Sequence, residues 1–268
     1  CTIPYIRGRY KSEPMDKVLK EANNLVKNGT KEIILVAQDV TKYGADFAGK
    51  PQLVELLQEL SKIEGLNKIR LLYCYPDLID DRLINEIASN NKVAKYIDIP
   101  LQHISNNILK RMNRRVNKEQ ILNIIAKLRH ACPDIRIRST FILGFPGETS
   151  EDFNELLDFI KTEKLDYVGF FKYSKEEGTP ASKMPNQVPA KVKTERLKLI
   201  SNAQFEVVKE KNKHLIGKTF DCVLDFVQNG NAYFRSEYLC PLVDPIIVTY
   251  DRGDLKVGKY YKVKIVDY

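Results

Sequence analysis

At 268 residues, 43% hydrophobic and 29% charged, the chain is long enough for one large domain and a small one around a sizeable buried core. No stretch approaches the roughly 18 apolar residues of a membrane-spanning helix, and no basic-then-apolar signal segment opens the sequence as given. Lys and Arg outnumber Asp and Glu by 43 to 35, a net charge of +8 that biases partners towards polyanions such as nucleic acid or a ribonucleoprotein surface.

In chain order, Ser12-Glu13-Pro14 opens a helix that closes at Asn28-Gly29. Strand-length apolar runs then alternate with helical patterns. A strand is predicted over 32–39, a helix over 51–63, a strand over 69–75 and a helix over 80–90. A strand over 96–102 leads to helices over 105–112 and 117–130. The last repeats are a strand over 135–144, a helix over 149–162 and a strand over 167–174. Near-continuous Val, Ile and Leu suit strands buried in a parallel sheet, so the fold class is α/β, either an open sheet or a full or partial β/α barrel. In both, chemistry belongs at the carboxyl ends of the strands.

After about residue 183 the composition changes. A proline-bearing linker precedes a lysine-rich helix over 190–212, with Val192, Leu199, Ala203 and Val207 as its apolar face. Beyond it the period falls to two, and short strands separated by Asn-Gly, Pro and Asp-Arg-Gly turns describe a small antiparallel β-barrel of OB-like pattern. The domains are read as 1–189, 190–212 and 213–268.

The five cysteines, Cys1, Cys74, Cys132, Cys222 and Cys240, are odd in number and widely separated. They form no Cys-x-x-Cys pair, which argues against a disulfide framework and for a reducing cytoplasm. Phosphate-loop, dinucleotide, Gly-x-Ser-x-Gly and His-Glu-x-x-His patterns are absent, leaving hydrolytic and nucleoside-triphosphate chemistry without support.

The sharpest local motif is "FILGFPGET" (141–149), a strand ending in glycines before a capped helix. It reads either as a site where backbone N–H groups approach a ligand or as a tight turn with a good cap. "PLQHISNNILKRMNRR" (100–115) places Gln102 and His103 at a strand exit, with Arg111, Arg114 and Arg115 further on. An amide and a guanidinium there suit a carboxylate or a ribose. His103 lacks a second histidine or cysteine at ligand spacing. His130 and His214 read as surface residues.

Taken together, "CTIPYIRGRYKSEP", "EIILVAQDVTKYG", "KYIDIPLQHIS", "LKRMNRR", "STFILGFPGET" and "YSKEEGTPA" resemble the radical S-adenosylmethionine (SAM) methylthiotransferases, followed by a TRAM-type β-barrel. The resemblance covers nearly the whole chain. It implies a partial radical SAM barrel and two cofactors, a 4Fe–4S cluster (two in the full-length protein) and SAM. In such enzymes an electron from the cluster splits SAM to a 5′-deoxyadenosyl radical that abstracts hydrogen from an unactivated C–H bond.

Cys1 matches the last cysteine of the family's Cys-x-x-x-Cys-x-x-Cys cluster loop. The chain therefore reads as an N-terminally truncated piece, lacking two cluster ligands, its first strand and the domain that carries the second cluster. By itself it is expected to be inactive and only marginally stable, with a bare sheet edge.

The resemblance further implies that Gln38 and Asp39 face the methionine end of SAM. It puts Gln102 and Arg114 at its ribose and carboxylate, and Thr140, Gly144 and Gly147 at its adenosine. No catalytic residue is assigned. Arg7 and Arg9 read either as substrate-orienting or as solvated groups.

Two branches compete, one acting on an aspartate of small-subunit ribosomal protein twelve and one on tRNA adenosine. The run 38–44, Gln-Asp-Val-Thr-Lys-Tyr-Gly, and the Glu176-Glu177 pair are similar to the ribosomal-protein branch, with Val40 departing from its more usual threonine. Expected partners are thus a small-subunit ribosomal protein, with tRNA as the alternative, and an electron donor such as flavodoxin or ferredoxin. A reading of another class makes the chain a non-catalytic basic binding module.

Overall fold

The computed structural model describes residues 3–268, so Cys1 and Thr2 lie outside the described residues. A short helix α1 (Ile3–Arg7) precedes α2 (Met15–Lys27), whose first turn is set by Pro14. There follow β1 (Glu32–Leu35), α3 (Ala45–Ala48), α4 (Leu53–Ser61), β2 (Lys68–Leu71), α5 (Asp81–Ser89) and β3 (Val93–Gln102). Next come α6 (Asn106–Arg111), α7 (Lys118–Ala131), β4 (Arg136–Leu143), α8 (Ser150–Glu163) and β5 (Tyr167–Lys172). The expected α/β order is therefore present, and α1 is an element that the apolar pattern had not marked.

β1 to β5 form one parallel sheet in sequential order, so every strand exit lies along the same edge. The helices share a single core with one face of that sheet, where Ile69, Leu71, Ile97, Ile99, Ile137 and Phe141 meet Leu57, Leu60, Ile87, Ile121, Leu156 and Ile200. Alternation along each strand sends the other side chains to a helix-free face. On β4 these are Arg136, Arg138, Thr140 and Ile142, each only half-buried beside fully buried neighbours.

Two strands are shorter than predicted. β1 ends at Leu35 rather than 39, because Asp39 caps a 3₁₀ turn over Val40–Lys42. β2 ends at Leu71 rather than 75, because Tyr73 adopts φ 58°, which no extended strand can hold.

Helix α9 (Ala190–Lys213) links to the C-terminal unit. There β6 (Thr219–Gln228), β7 (Asn231–Ser236), β8 (Ile247–Tyr250) and β9 (Tyr260–Lys264) pair antiparallel in the order β8-β7-β6-β9. The expected small barrel takes the form of a curled four-stranded half-barrel around Cys222, Leu224, Ala232 and Phe234. The face expected for α9 is corrected at Leu199, which is 56% exposed, while Arg196, Ile200, Gln204 and Val207 are the buried residues.

The C-terminal unit docks on the helix-free face near the strand starts. Cys240 packs with Ala94 and Tyr96, and Arg235 reaches Glu32 at 2.5 Å. Glu32 also accepts from Arg70 at 2.8 Å, and the Glu237 carbonyl accepts from Arg70 at 3.0 Å. Arg138 links Asp98 (3.0 Å) towards Asp244 (3.7 Å). Among the described residues no helix is long and apolar enough to cross a membrane.

Candidate functional site

With the strand starts covered, the strand exits form the open half of the helix-free face. Gln102 ends β3 with φ 71°, a left-handed conformation uncommon for a residue other than glycine, just after a register shift against β4. Backbone strain of this kind concentrates at functional sites. Thr140, on the helix-free face of β4, lies opposite Gly169 of β5. A Cβ on Gly169 would lie 3.9 Å from Thr140 Oγ1 and 3.5 Å from the Phe171 ring. Phe171 itself is 61% exposed, opposite Ile142. Thr140 and Phe171 put a hydroxyl and an exposed aromatic surface on one face, and Gln102 ends the neighbouring strand with its amide, groups able to hold a base and a ribose.

Phe171 was missed in the sequence, where "YVGFFK" reads as an ordinary buried strand. Its period-two alternation is the signal that separates it from Val168 and Phe170, which pack on the helix core.

A second group gathers at the β1 and β2 exits. Asp39 is buried and inward-facing; Oδ1 accepts from the Thr41 N–H at 3.1 Å and from the Thr41 hydroxyl, and Oδ2 lies 3.0 Å from Lys42 Nζ. Its carbonyl accepts from Tyr10 at 3.2 Å. Lys42 and Arg114 both lie over the Tyr75 ring, at 5.7 and 4.9 Å from its centroid. Asp39 and Arg114 are thus joined through Lys42 and Tyr75, while Gln38 is exposed next to them. Tyr75 had not been singled out, because an aromatic residue after a strand carries no ligand signature.

The β4 exit is a tight turn. Gly144 and Gly147 hold φ 70° and 85°. A Cβ on Gly144 would sit 2.4 Å from Lys193 Cγ, and one on Gly147 would sit 2.6 Å from Arg111 Cζ. What approaches these glycines closely is therefore protein. Arg111 Nε donates to the Pro146 carbonyl at 2.7 Å, and Lys193 Nζ donates to the Tyr173 carbonyl at 2.8 Å. Burial holds the Lys193 ammonium below its usual range, against the opposing pull of Glu148.

His103 is fully buried. It lies 3.6 Å from Glu148, and no cluster of three or more His, Cys, Asp or Glu able to hold a metal occurs among the described residues. Cys74, Cys132, Cys222 and Cys240 are free thiols. Burial pushes the Cys74 thiol far up, Cys222 to about 12 and Cys240 to about 11, so these sulfurs stay protonated at neutral pH. Arg7 and Arg9 are exposed, and Cys1 lies outside the described residues.

This chain is similar over nearly its whole length to two clostridial proteins. It is 47% identical over 265 residues to the ribosomal protein uS12 methylthiotransferase RimO of Clostridium botulinum, covering 99% of this chain and 60% of that protein. With the protein of the same name from Clostridium perfringens the identity is 49% over 266 residues, covering 99% and 59%. The chain therefore spans about 60% of the length of these curated relatives.

Solved structures share the fold at low identity. Coproporphyrinogen III oxidase (HemN) from Escherichia coli, a radical SAM enzyme, aligns with a TM-score of 0.56 at 11% identity over 83% of this chain and 60% of that one. The archaeal Methanocaldococcus infernus Elp3 with an N-terminal deletion aligns at 0.50 and 13% identity over 97% and 80%. The model of the Radical SAM superfamily matches residues 1–160, the stretch that carries the exits of β1 to β4, and the chain belongs to that superfamily.

Proposed function

We propose that this chain is the SAM-binding core and C-terminal unit of a methylthiotransferase that replaces a β-hydrogen of an aspartate in ribosomal protein uS12. The reading is carried by the strand exits, where Thr140 and Phe171 share the open half of the helix-free face and Gln102 ends the neighbouring strand at φ 71°. The names of the two clostridial relatives supply the reaction. The Asp39, Thr41 and Lys42 set that likens the chain to the ribosomal-protein branch folds as one hydrogen-bonded unit, which gives each of the three a reason to occur together.

In this reading Gln38 and Arg114 take the methionine end of SAM, with Asp39 organising their loop through Thr41 and Lys42. Gln102 and Thr140 take the ribose and Phe171 packs on the base, while the Gly144–Gly147 turn, filled by Lys193 and Arg111, shapes the exit of β4 rather than touching the nucleoside. The exposed polar groups at these exits and the absence of a Cβ at Gly169 suit a nucleoside laid along β4 and β5. When bound, a reduced 4Fe–4S cluster and SAM supply a carbon radical able to take hydrogen from an unactivated C–H bond. Cys1 is assigned as one thiolate of that cluster, the remaining thiolates and a second cluster belonging to the full-length gene product. This chain's part is to hold SAM in one orientation. An electron donor such as flavodoxin or ferredoxin and a cytoplasmic setting go with this reading, the latter supported by four free cysteines.

The units 1–189, 190–212 and 213–268 are proposed as catalytic core, connecting helix and substrate-docking module. A tRNA substrate is the second reading. It is favoured by one observation: Phe226 and Tyr233 stack 4.4 Å apart on the C-terminal sheet, with Phe226 41% exposed on a chain of net charge +8. Mass spectrometry of ribosomal proteins and tRNA nucleosides from a strain lacking the gene separates the two. The first reading expects uS12 without its methylthio group and unchanged tRNA; loss of a 2-methylthio-adenosine with uS12 still modified contradicts it.

A further inference from the structure

Three buried side chains lie behind the β3 and β4 exits. The Glu148 side chain is fully buried, and three groups compete for it. Oε2 accepts from the Gly144 N–H at 2.7 Å, Oε1 accepts from Arg196 Nη1 at 2.6 Å, and His103 Nε2 stands 3.6 Å from Oε2. His103 Nδ1 already accepts from the Ser105 N–H at 3.0 Å, so the neutral ring carries its proton on Nε2, facing Glu148. That nitrogen is buried without a hydrogen-bond partner, because Arg196 and Gly144 hold the carboxylate slightly beyond its reach.

Each member sits next to a residue of the candidate site. His103 directly follows Gln102, so a fully buried ring held at Nδ1 by the Ser105 N–H fixes the peptide that holds Gln102 at φ 71°. Glu148 ties down the amide of Gly144, the residue at φ 70° that turns the chain out of β4. Arg196 comes from α9, some fifty residues later in sequence. The same two loops are joined again where Ser105 and Asn107 donate to Asp152 at 2.5 and 3.0 Å.

A buried carboxylate without its cation is costly, so Glu148 keeps its place only while Arg196 is present. We propose that Arg196, acting through Glu148, and His103, acting through the Ser105 N–H, are positioning residues. They lock the β3 and β4 exits into the one conformation that receives SAM, so that α9 is a structural part of the binding site. The proposal rests on the reading of those exits as the SAM site.

The test uses the full-length gene product with Arg196→Met, Arg196→Lys, His103→Leu and His103→Gln. Two readouts are followed: hydrogen exchange of peptides covering 101–106 and 141–149, and equilibrium binding of SAM. Arg196→Met is expected to raise exchange in 141–149 and to weaken SAM binding by about tenfold, the scale of one lost charged hydrogen bond. Arg196→Lys is expected to restore most of both. His103→Leu should loosen 101–106, with His103→Gln milder, since its amide oxygen can still accept from the Ser105 N–H. Peptides over 69–75 report whether a variant remains folded; if Arg196→Met does not fold, the His103 pair decides. A folded Arg196→Met or His103→Leu with parental exchange and SAM affinity within about twofold overturns the proposal. If the parent protein binds no SAM, the reading of the site fails, while the exchange data still decide the lock on their own.

Discussion

Gly144 shows how one residue can satisfy two demands at once. Its φ of 70° is costly for any residue with a Cβ, and that Cβ would also meet the Lys193 stem at 2.4 Å. The Gly144→Ala change is expected to cost about 2 kcal/mol in urea unfolding, from backbone strain and steric clash together. In the Lys193→Ala background the clash disappears and only the strain of about 1 kcal/mol remains, so the two changes couple in a double-mutant cycle. Additive costs would show that Lys193 does not confine Gly144. The glycine pair was legible in the sequence as a special turn, but its neighbours were not. Lys193 and Arg111 lie 49 and 36 residues from their glycines, and surface lysines and arginines carry no mark of what they cover.

Helix α9 is where the apolar pattern misled. The stripe of Val192, Leu199, Ala203 and Val207 drifts around a helix of 3.6 residues per turn, and it skips three of the residues that are buried, Arg196, Ile200 and Gln204. Arg196 and Gln204 are polar and each is paired, Arg196 with Glu148 and Gln204 through Nε2, which donates to the Leu165 carbonyl at 3.2 Å. A pattern built on apolar residues passes over such positions and takes up their exposed neighbour instead. Leu199→Ala is therefore expected to change stability by less than about 0.5 kcal/mol, whereas Ile200→Ala should cost about 2–5 kcal/mol by chemical denaturation. Equal costs would place the buried face where the apolar stripe put it. Helices α7 and α8 were legible because their caps are local, with capping boxes at Asn117/Gln120 and Thr149/Asp152 marking them within four residues.

At the scale of the whole molecule, the C-terminal sheet is keyed into the β/α unit by charge. Glu32 takes Arg70, which is fully buried, and Arg235, at 2.8 and 2.5 Å. Removing the shared carboxylate with Glu32→Ala leaves two guanidiniums short of a partner and is expected to cost about 3–5 kcal/mol, with faster hydrogen exchange over 231–244. An unchanged midpoint with unchanged exchange would mean that apolar packing around Cys240 holds the units together by itself. This docking was not legible in sequence, since 203 residues separate Glu32 from Arg235 and neither belongs to a motif. The alternation of strands and helices was legible, and with it the expectation that all strand exits share one edge, because parallel strands joined by helices put their exits on one side; the sequential strand order came from the structure. The central claim is that SAM lies on the helix-free face at the exits of β3, β4 and β5. It is tested most directly by photolabelling the full-length gene product with SAM bearing an azido group on the base, then mapping the label by peptide mass spectrometry. The account expects label on peptides containing Gln102, residues 140–147 or Phe171, and its loss when unmodified SAM competes; competed label confined to the helix-covered side or to the C-terminal sheet would contradict it.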